Sequence, residues 1–249
     1  MSTNLRRYSG ILEYDGTDFS GFQSQTDRRT VQGELEQAVS KVAHKDRIII
    51  YGSGRTDAGV HASGQVIAFD MEWKHTSEEL LRAINACLPQ DIVVRTLDVT
   101  SFDFNPRRCA RWRSYQYRIY NAPIRSPLHI RKSWHVQAKL DLGAMESAGE
   151  CLIGEHDFAS FGRSPDKLGH TTRTVSRLDW RANKESIIVE IEANAFLYRM
   201  VRSIVGTLYM VGVGSWESSV VEQVLQAKDR NKSGPLAPPQ GLTLTNIKF

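Results

Sequence analysis

The sequence predicts an α+β chain made of two ferredoxin-like halves, with joined antiparallel sheets and a basic cleft between them. Two observations carry this expectation. β-rich runs alternate with apolar stretches of helical period, and the order β-α-β-β-α-β is met twice along the chain. The chain has 249 residues, enough for two modest hydrophobic cores. The halves are expected at residues 1–104 and 105–249.

Ile11, Leu12 and Tyr14 suggest the first strand, ended by Asp15-Gly16. A loop rich in Gly, Ser and Asp runs to Arg29. Val31, Leu35, Ala38, Val39 and Val42 then share one helical face, with Thr30 as a suitable N-cap. Ile48 to Tyr51 and Gln65 to Phe69 are β-rich. Thr76-x-x-Glu79 forms a capping box before a helix bearing Leu80, Leu81, Ile84 and Leu88, and Pro89 stops it. Asp91 to Val99 is again strand-like.

The second half opens with a strand from Arg113 to Tyr120. A helix from Asp141 to Ile153 is weakened by Gly143 and Gly149. Thr172 to Trp180 and Ser186 to Ala193 make a hairpin about Ala182-Asn183-Lys184-Glu185. Helices follow at Met200 to Val211 and near Ser218 to Ala227. A rigid loop with Gly234-Pro235 and Pro238-Pro239 precedes a last strand, Gly241 to Phe249.

Charge is distributed unevenly. The net charge is +4 and the pI about 9.0. From Asn105 to Leu140 there is no Asp or Glu, but there are nine basic residues: Arg107, Arg108, Arg111, Arg113, Arg118, Arg125, Arg131, Lys132 and Lys139. The remainder has 23 basic side chains against 28 acidic ones. One segment therefore carries the positive charge, as expected for a polyanion partner. A merely solvated basic face is the plain alternative, but the aromatics interleaved here favour a partner. No apolar run is long enough to cross a bilayer. Met1 to Arg7 leads straight into a strand, so no secretory segment is expected. Cys87, Cys109 and Cys151 contain no C-x-x-C pair and read as buried or half-buried free thiols in a reducing cytoplasm.

The most unusual stretch is Tyr51-Gly52-Ser53-Gly54-Arg55-Thr56-Asp57-Ala58-Gly59-Val60-His61-Ala62. Its glycines allow tight turns and close backbone approach to a ligand. Arg55 and Asp57 flank Thr56, and a tight turn would aim both at one point. An Arg nearby favours the ionised carboxylate, leaving it ready to act as a nucleophile. A turn-capping Asp beside a surface Arg is the plain alternative. No phosphate-cradling pattern fits, because neither a Lys-Ser/Thr pair nor an immediate helix follows.

From Gly54 to Ala62 this loop resembles the signature of the tRNA pseudouridine synthase A (TruA) family. Companion motifs occur in the same order along nearly the whole chain. They are Glu13-Tyr14-Asp15-Gly16 with Gly21-Phe22-Gln23, Asn85 to Pro89 with Asp91-Ile92, Phe104-Asn105-Pro106-Arg107, Tyr115-Gln116-Tyr117, Gly154 to Phe158, and Asn194-Ala195-Phe196 through Met200-Val201-Arg202. The resemblance implies a cofactor-free cytoplasmic isomerase with no metal. It implies a homodimer holding tRNA across its subunits and acting on uridines 38 to 40 of the anticodon stem-loop. It implies that Asp57 is the nucleophile and that Tyr115 stacks on the target uracil. It also implies that Arg202 faces Asp57 across the cleft and that Arg55 binds RNA near the flipped base. Phe104, Asn105, Pro106, Arg107 and the adjoining Arg108 would contact RNA. Phe22, Ser114 and Phe249 depart from the family's usual Trp, basic residue and Tyr.

The residues suit such a reaction. Pseudouridine formation breaks N1–C1′, turns the base and joins C5 to C1′, with no redox change. Two atoms, C1′ and C6, are open to attack by a carboxylate. The seven histidines form no metal-binding motif. His61 reads as structural, since a nucleophile is already present. Extruding a stacked base costs a few kcal/mol. Stacking on Tyr115 returns about 1–3 kcal/mol, although Tyr115 could equally be a cross-strand core aromatic. Arg202 interrupts an apolar helix pattern; a buried Arg needs a carboxylate partner, and Asp57 is a suitable one. Otherwise Arg202 snorkels to solvent. A non-catalytic RNA-binding module of RRM type is the main rival, though no clustered-aromatic strand motif is present. A glycosidase or nucleotide hydrolase would need a second, positioned carboxylate.

Overall fold

The computed structural model describes residues 5–164 and 169–249. Met1 to Asn4, at the head of the segment read as leading into the first strand, lie outside the described residues. The protein is mixed α+β with mostly antiparallel strands. It divides into two compact units. One runs to Arg111 and includes Leu244–Phe249; the other is Trp112–Thr243. Residues 105–111 and the last six residues, expected in the second half, thus belong to the first unit.

The first unit contains β1 (Leu5–Tyr14), α1 (Val31–Ala43), β2 (Tyr51–Gly52), β3 (His61–Glu72), α2 (Ser77–Cys87), β4 (Ile92–Thr100) and the one-turn α3 (Pro106–Cys109). β1 lies between β4 and β3, antiparallel to both, and β2 pairs antiparallel with β3. The helix starts are as the sequence predicts. Thr30 accepts the Gly33 N–H, and Thr76 with Glu79 forms the capping box. Both caps satisfy N–H groups that the first helical turn leaves without partners. Tyr8, Leu12, Leu35, Phe69, Leu80 and Ile84 are buried in this unit's core.

Ile48 to Ile50, expected as a strand, do not pair as one. Side chains of α1 take their backbone groups instead. Ile48 N–H donates to Ser40 Oγ, Ile50 N–H to Glu36 Oε1, and Gln32 Nε2 to the Ile50 carbonyl. Satisfied in this way, the segment needs no ladder.

The second unit contains β5 (Trp112–Asn121), β6 (Trp134–Val136), α4 (Leu142–Gly149), β7 (Gly154–Asp157), β8 (Thr172–Asn183), β9 (Ser186–Ala193), α5 (Met200–Gly212) and α6 (Ser219–Ala227). β10 (Leu242–Lys248) closes the chain. The strand order is β5-β9-β8-β7, antiparallel throughout, with β6 parallel to β5. The β8–β9 hairpin turns at Lys184-Glu185, with Lys184 at φ 51°. Glu150–Leu152, expected as the end of a longer α4, is a 3-10 turn. β6, β7 and α3 were not legible, being three or four residues each. Tyr117, Ile119, Met145, Phe158, Ile204 and Leu208 are fully buried. Cys87 and Cys151 are half-buried free thiols. Cys109, expected buried or half-buried, is exposed at the end of α3.

Candidate active site

Residues 53–60 connect β2 to β3 and hold Asp57 half-buried. Four sets of contacts fix this connection, all within the first unit. At its root, the buried Gln65 bridges it. The Gln65 Oε1 accepts from Ser53 Oγ at 2.6 Å and from Gly54 N–H at 3.2 Å, while Nε2 donates to the Gly54 carbonyl at 2.8 Å. In its middle, Thr56 Oγ1 lies 2.8 Å from Tyr14 Oη. The β1 ladder shifts register between Leu12 and Tyr14, and this irregularity sets the aim of Tyr14 at the end of the strand. The segment after β1 supplies the third set. Phe22 N–H donates to the Thr56 carbonyl at 3.1 Å, and Gly59 N–H to the Phe19 carbonyl at 3.3 Å. Gly21 stands at φ +97°, where a Cβ would sit 2.8 Å from the Thr56 carbonyl oxygen. A side chain is excluded there both by conformation and by space. Finally, the chain reverses immediately after Thr56: Val60 N–H donates to the Asp57 carbonyl at 3.2 Å, with Gly59 at φ 77°.

This geometry sends neighbouring side chains different ways. Thr56 is drawn inward, and Arg55 is exposed. The expected Arg55–Asp57 ion pair does not form. Among the described residues Arg55 has no carboxylate partner, because the hold on Thr56 directs Arg55 to solvent. His61 is buried at the start of β3. Its Nδ1 accepts from Gly16 N–H at 3.0 Å and lies 3.1 Å from Asp15 Oδ1. The ring thereby ties the turn after β1 to the end of the Asp57 connection.

The other expected RNA contacts of this unit lie on and beside α3, which packs on β2 and β3. Arg107 and Arg108 are exposed. Asn105 Oδ1 caps α3 by accepting from the Arg107 and Arg108 N–H groups, and Pro106 takes the first helical position. Phe104 lies against Phe249, with ring centroids 5.1 Å apart.

In the second unit Tyr115 sits half-buried on β5, with its ring edge-on to Phe196 at 5.1 Å. Tyr117, two residues on, is fully buried and donates to the Pro238 carbonyl at 2.7 Å. The two tyrosines therefore differ as the sequence left open: Tyr117 is the core aromatic. Arg202 lies in the first turn of α5 and is 8% exposed, so it does not snorkel. Its Nε donates to the Ala237 carbonyl at 2.7 Å, and its own carbonyl accepts from Ala237 N–H.

Comparison with known proteins decides the family. The model of the tRNA pseudouridine synthase family matches residues 11–107 and 148–249. The chain belongs to that family. Relatives called tRNA pseudouridine synthase A are similar along almost the whole length. That of Pseudothermotoga lettingae is 43% identical over 98% of this chain and all of its own. That of Brevibacillus brevis is 42% identical, and that of Fervidobacterium nodosum 44%, with the same coverage. The family match includes the Asp57 connection, Phe104 to Arg107 and Arg202. It leaves out 108–147, which holds Tyr115 and most of the basic segment.

The three departures from the usual tRNA pseudouridine synthase pattern each have a local setting. Phe22 is buried under Gly52, where a Cβ would lie 2.4 Å from its ring. Ser114 is buried and donates to the Glu192 carboxylate at 2.9 Å, so its side chain faces the sheet interior. Phe249 packs on Phe104. Sequence reasoning missed the positioning roles of Tyr14 and Gln65. A signal for Gln65 was present, as the one amide in the run Gln65-Val66-Ile67-Ala68-Phe69. Nothing local announces that Tyr14 meets Thr56, 42 residues away.

Proposed function

We propose that this protein isomerises uridine to pseudouridine at positions 38 to 40 of the tRNA anticodon stem-loop, with Asp57 as nucleophile. The observation that carries the reading is the setting of Asp57. It stands within the nine-residue signature, half-buried, on a connection pinned at Ser53, Gly54, Thr56 and Gly59. Family membership and the relatives' shared name support tRNA as the substrate.

The framework of this reading is a pair of ferredoxin-like halves with joined sheets and a basic cleft, across which Arg202 faces Asp57. The exposed Arg55, Arg107 and Arg108 hold phosphates while the target uridine leaves its stack. Phe104, Asn105 and Pro106 shape that contact, with the Asn105 oxygen serving through its cap of α3. Tyr115 stacks on the extruded uracil. The Asp57 carboxylate attacks the nucleoside, the N1–C1′ bond breaks, and the base turns. C5 then bonds to C1′. The C5 proton leaves to solvent, N1, freed from C1′, takes up a proton in exchange, and Asp57 is regenerated. Atoms balance without a cofactor or a metal. The protein works as a cytoplasmic homodimer, with tRNA held across the subunits. A rigid connection suits this chemistry, because a nucleophile fixed before binding needs no ordering at the moment of attack.

The test is tritium release from unmodified tRNA labelled at C5 of uridine, with no added cofactor. Release by the wild type and none by Asp57→Asn, with tRNA binding retained, is the expected result. Tight binding without release by the wild type would refute the reading and favour a non-catalytic RNA-binding module.

A further inference from the structure

We propose that Arg163, Tyr198 and Arg199 form a binding site for the phosphodiester backbone of the substrate RNA. This deepens, and rests on, the tRNA-modifying reading. The three residues meet within the second unit, where the connection from β9 to α5 passes the segment after β7. Arg163 and Tyr198 form an isolated β-bridge, with Tyr198 N–H donating to the Arg163 carbonyl at 3.0 Å. Gly162 permits this approach: a Cβ there would lie 2.6 Å from Leu197 Cβ and 2.8 Å from the Tyr198 carbonyl oxygen. Leu197 is buried and anchors the connection in the core, and Tyr198 beside it is exposed.

Both guanidiniums lie over the Tyr198 ring. Arg163 Cζ is 5.1 Å and Arg199 Cζ 4.7 Å from its centroid. Among the described residues neither arginine has a carboxylate partner. Two like charges held on one ring repel each other, and an anion relieves that repulsion. The ring holds each guanidinium by cation–π attraction, and the N–H fork of an arginine suits the oxygens of a phosphate. Arg199 also occupies the left-handed region, at φ 66°, immediately before α5. Such a conformation is uncommon for a bulky side chain and persists where the surrounding structure over-determines it. The same connection carries Phe196 against Tyr115, and Arg113 Nη1 donates to the Asn194 carbonyl at 2.6 Å. The arginine pair therefore continues the path from the proposed base-stacking tyrosine.

The test measures binding of an unmodified tRNA transcript across NaCl concentration. Each lost phosphate contact lowers the slope of log K against log salt by about 0.7–0.9. The double variant R163Q/R199Q is expected to lower it by between one and two units. Its Kd rises about tenfold near 0.15 M salt, while turnover at saturating tRNA is retained. Tyr198→Phe keeps the platform and the slope. R163K/R199K keeps the charge and a slope near that of wild type, but binds less tightly for want of the fork. A wild-type slope and Kd in R163Q/R199Q, folded by thermal unfolding, would overturn the site. If wild type binds tRNA but releases no tritium, the isomerase reading fails while the slopes still decide the site. If wild type turns over and the slope is unmoved, the site alone fails.

Discussion

The hydroxyl of Tyr14 lies 2.8 Å from Oγ1 of Thr56, and both side chains are buried. Thr56 stands between Arg55 and Asp57. A strand end thus contributes one of the hydrogen bonds that hold the connection bearing the proposed nucleophile. Tyr14→Phe leaves the Thr56 hydroxyl buried without that partner, at a cost of about 1–3 kcal/mol. The expected outcome is a drop in turnover at saturating tRNA with little change in tRNA Kd. Thr56→Val should do the same, and the double variant should lose less than the sum, because the two act through one contact. Additive losses would mean that the contact does not position Asp57.

Gln65 makes three hydrogen bonds to Ser53 and Gly54 and has no exposed surface. Gln65→Met keeps the approximate volume and removes all three. The half-buried Gly54 carbonyl and the Ser53 hydroxyl proton then lose these partners, although Ser53 Oγ still accepts from Val66 N–H, and stability should fall by about 2–4 kcal/mol. Urea unfolding checks this. Hydrogen exchange at Ser53 and Gly54 should rise relative to β1.

Arg202 is held by its Nε on the Ala237 carbonyl. Arg202→Lys keeps the charge but loses the planar fork. Single-turnover tritium release should fall about 100-fold, equivalent to roughly 2.7 kcal/mol, with tRNA affinity changed far less. Normal rates would remove Arg202 from the catalytic set.

Burial holds the Tyr117 phenol pKa well above its usual 10.0, with Arg202 opposing that shift only in part. The folded state therefore keeps this proton after the unfolded state begins to lose it. Stability from Tyr117 is complete below pH 10 and is lost as pH rises beyond that. The loss approaches about 1.4 kcal/mol per pH unit for one proton. Tyr117→Phe should flatten this alkaline limb in urea unfolding, while costing about 1 kcal/mol at neutral pH through the lost bond to Pro238. An alkaline limb as steep as that of wild type would assign it to other tyrosines.

What the sequence alone determined is what depends on near neighbours. The Thr30 cap, the Thr76–Glu79 box and the β8–β9 hairpin were legible because their partners lie within a few residues. The Asp57 signature was legible as a run of residues, and it carried the family. Tertiary structure decided the rest. Ile48 to Ile50 have strand-forming side chains, yet α1 takes their backbone groups. Arg55 and Asp57 are two residues apart, yet Tyr14 and the glycine turn send Arg55 outward. Tyr115 and Tyr117 share a strand pattern, but only Tyr117 reaches the core and the Pro238 carbonyl. Each outcome turns on hydrogen bonds between residues distant in sequence. Local periodicity reports which face of an element is apolar, but not which distant partner that face will meet.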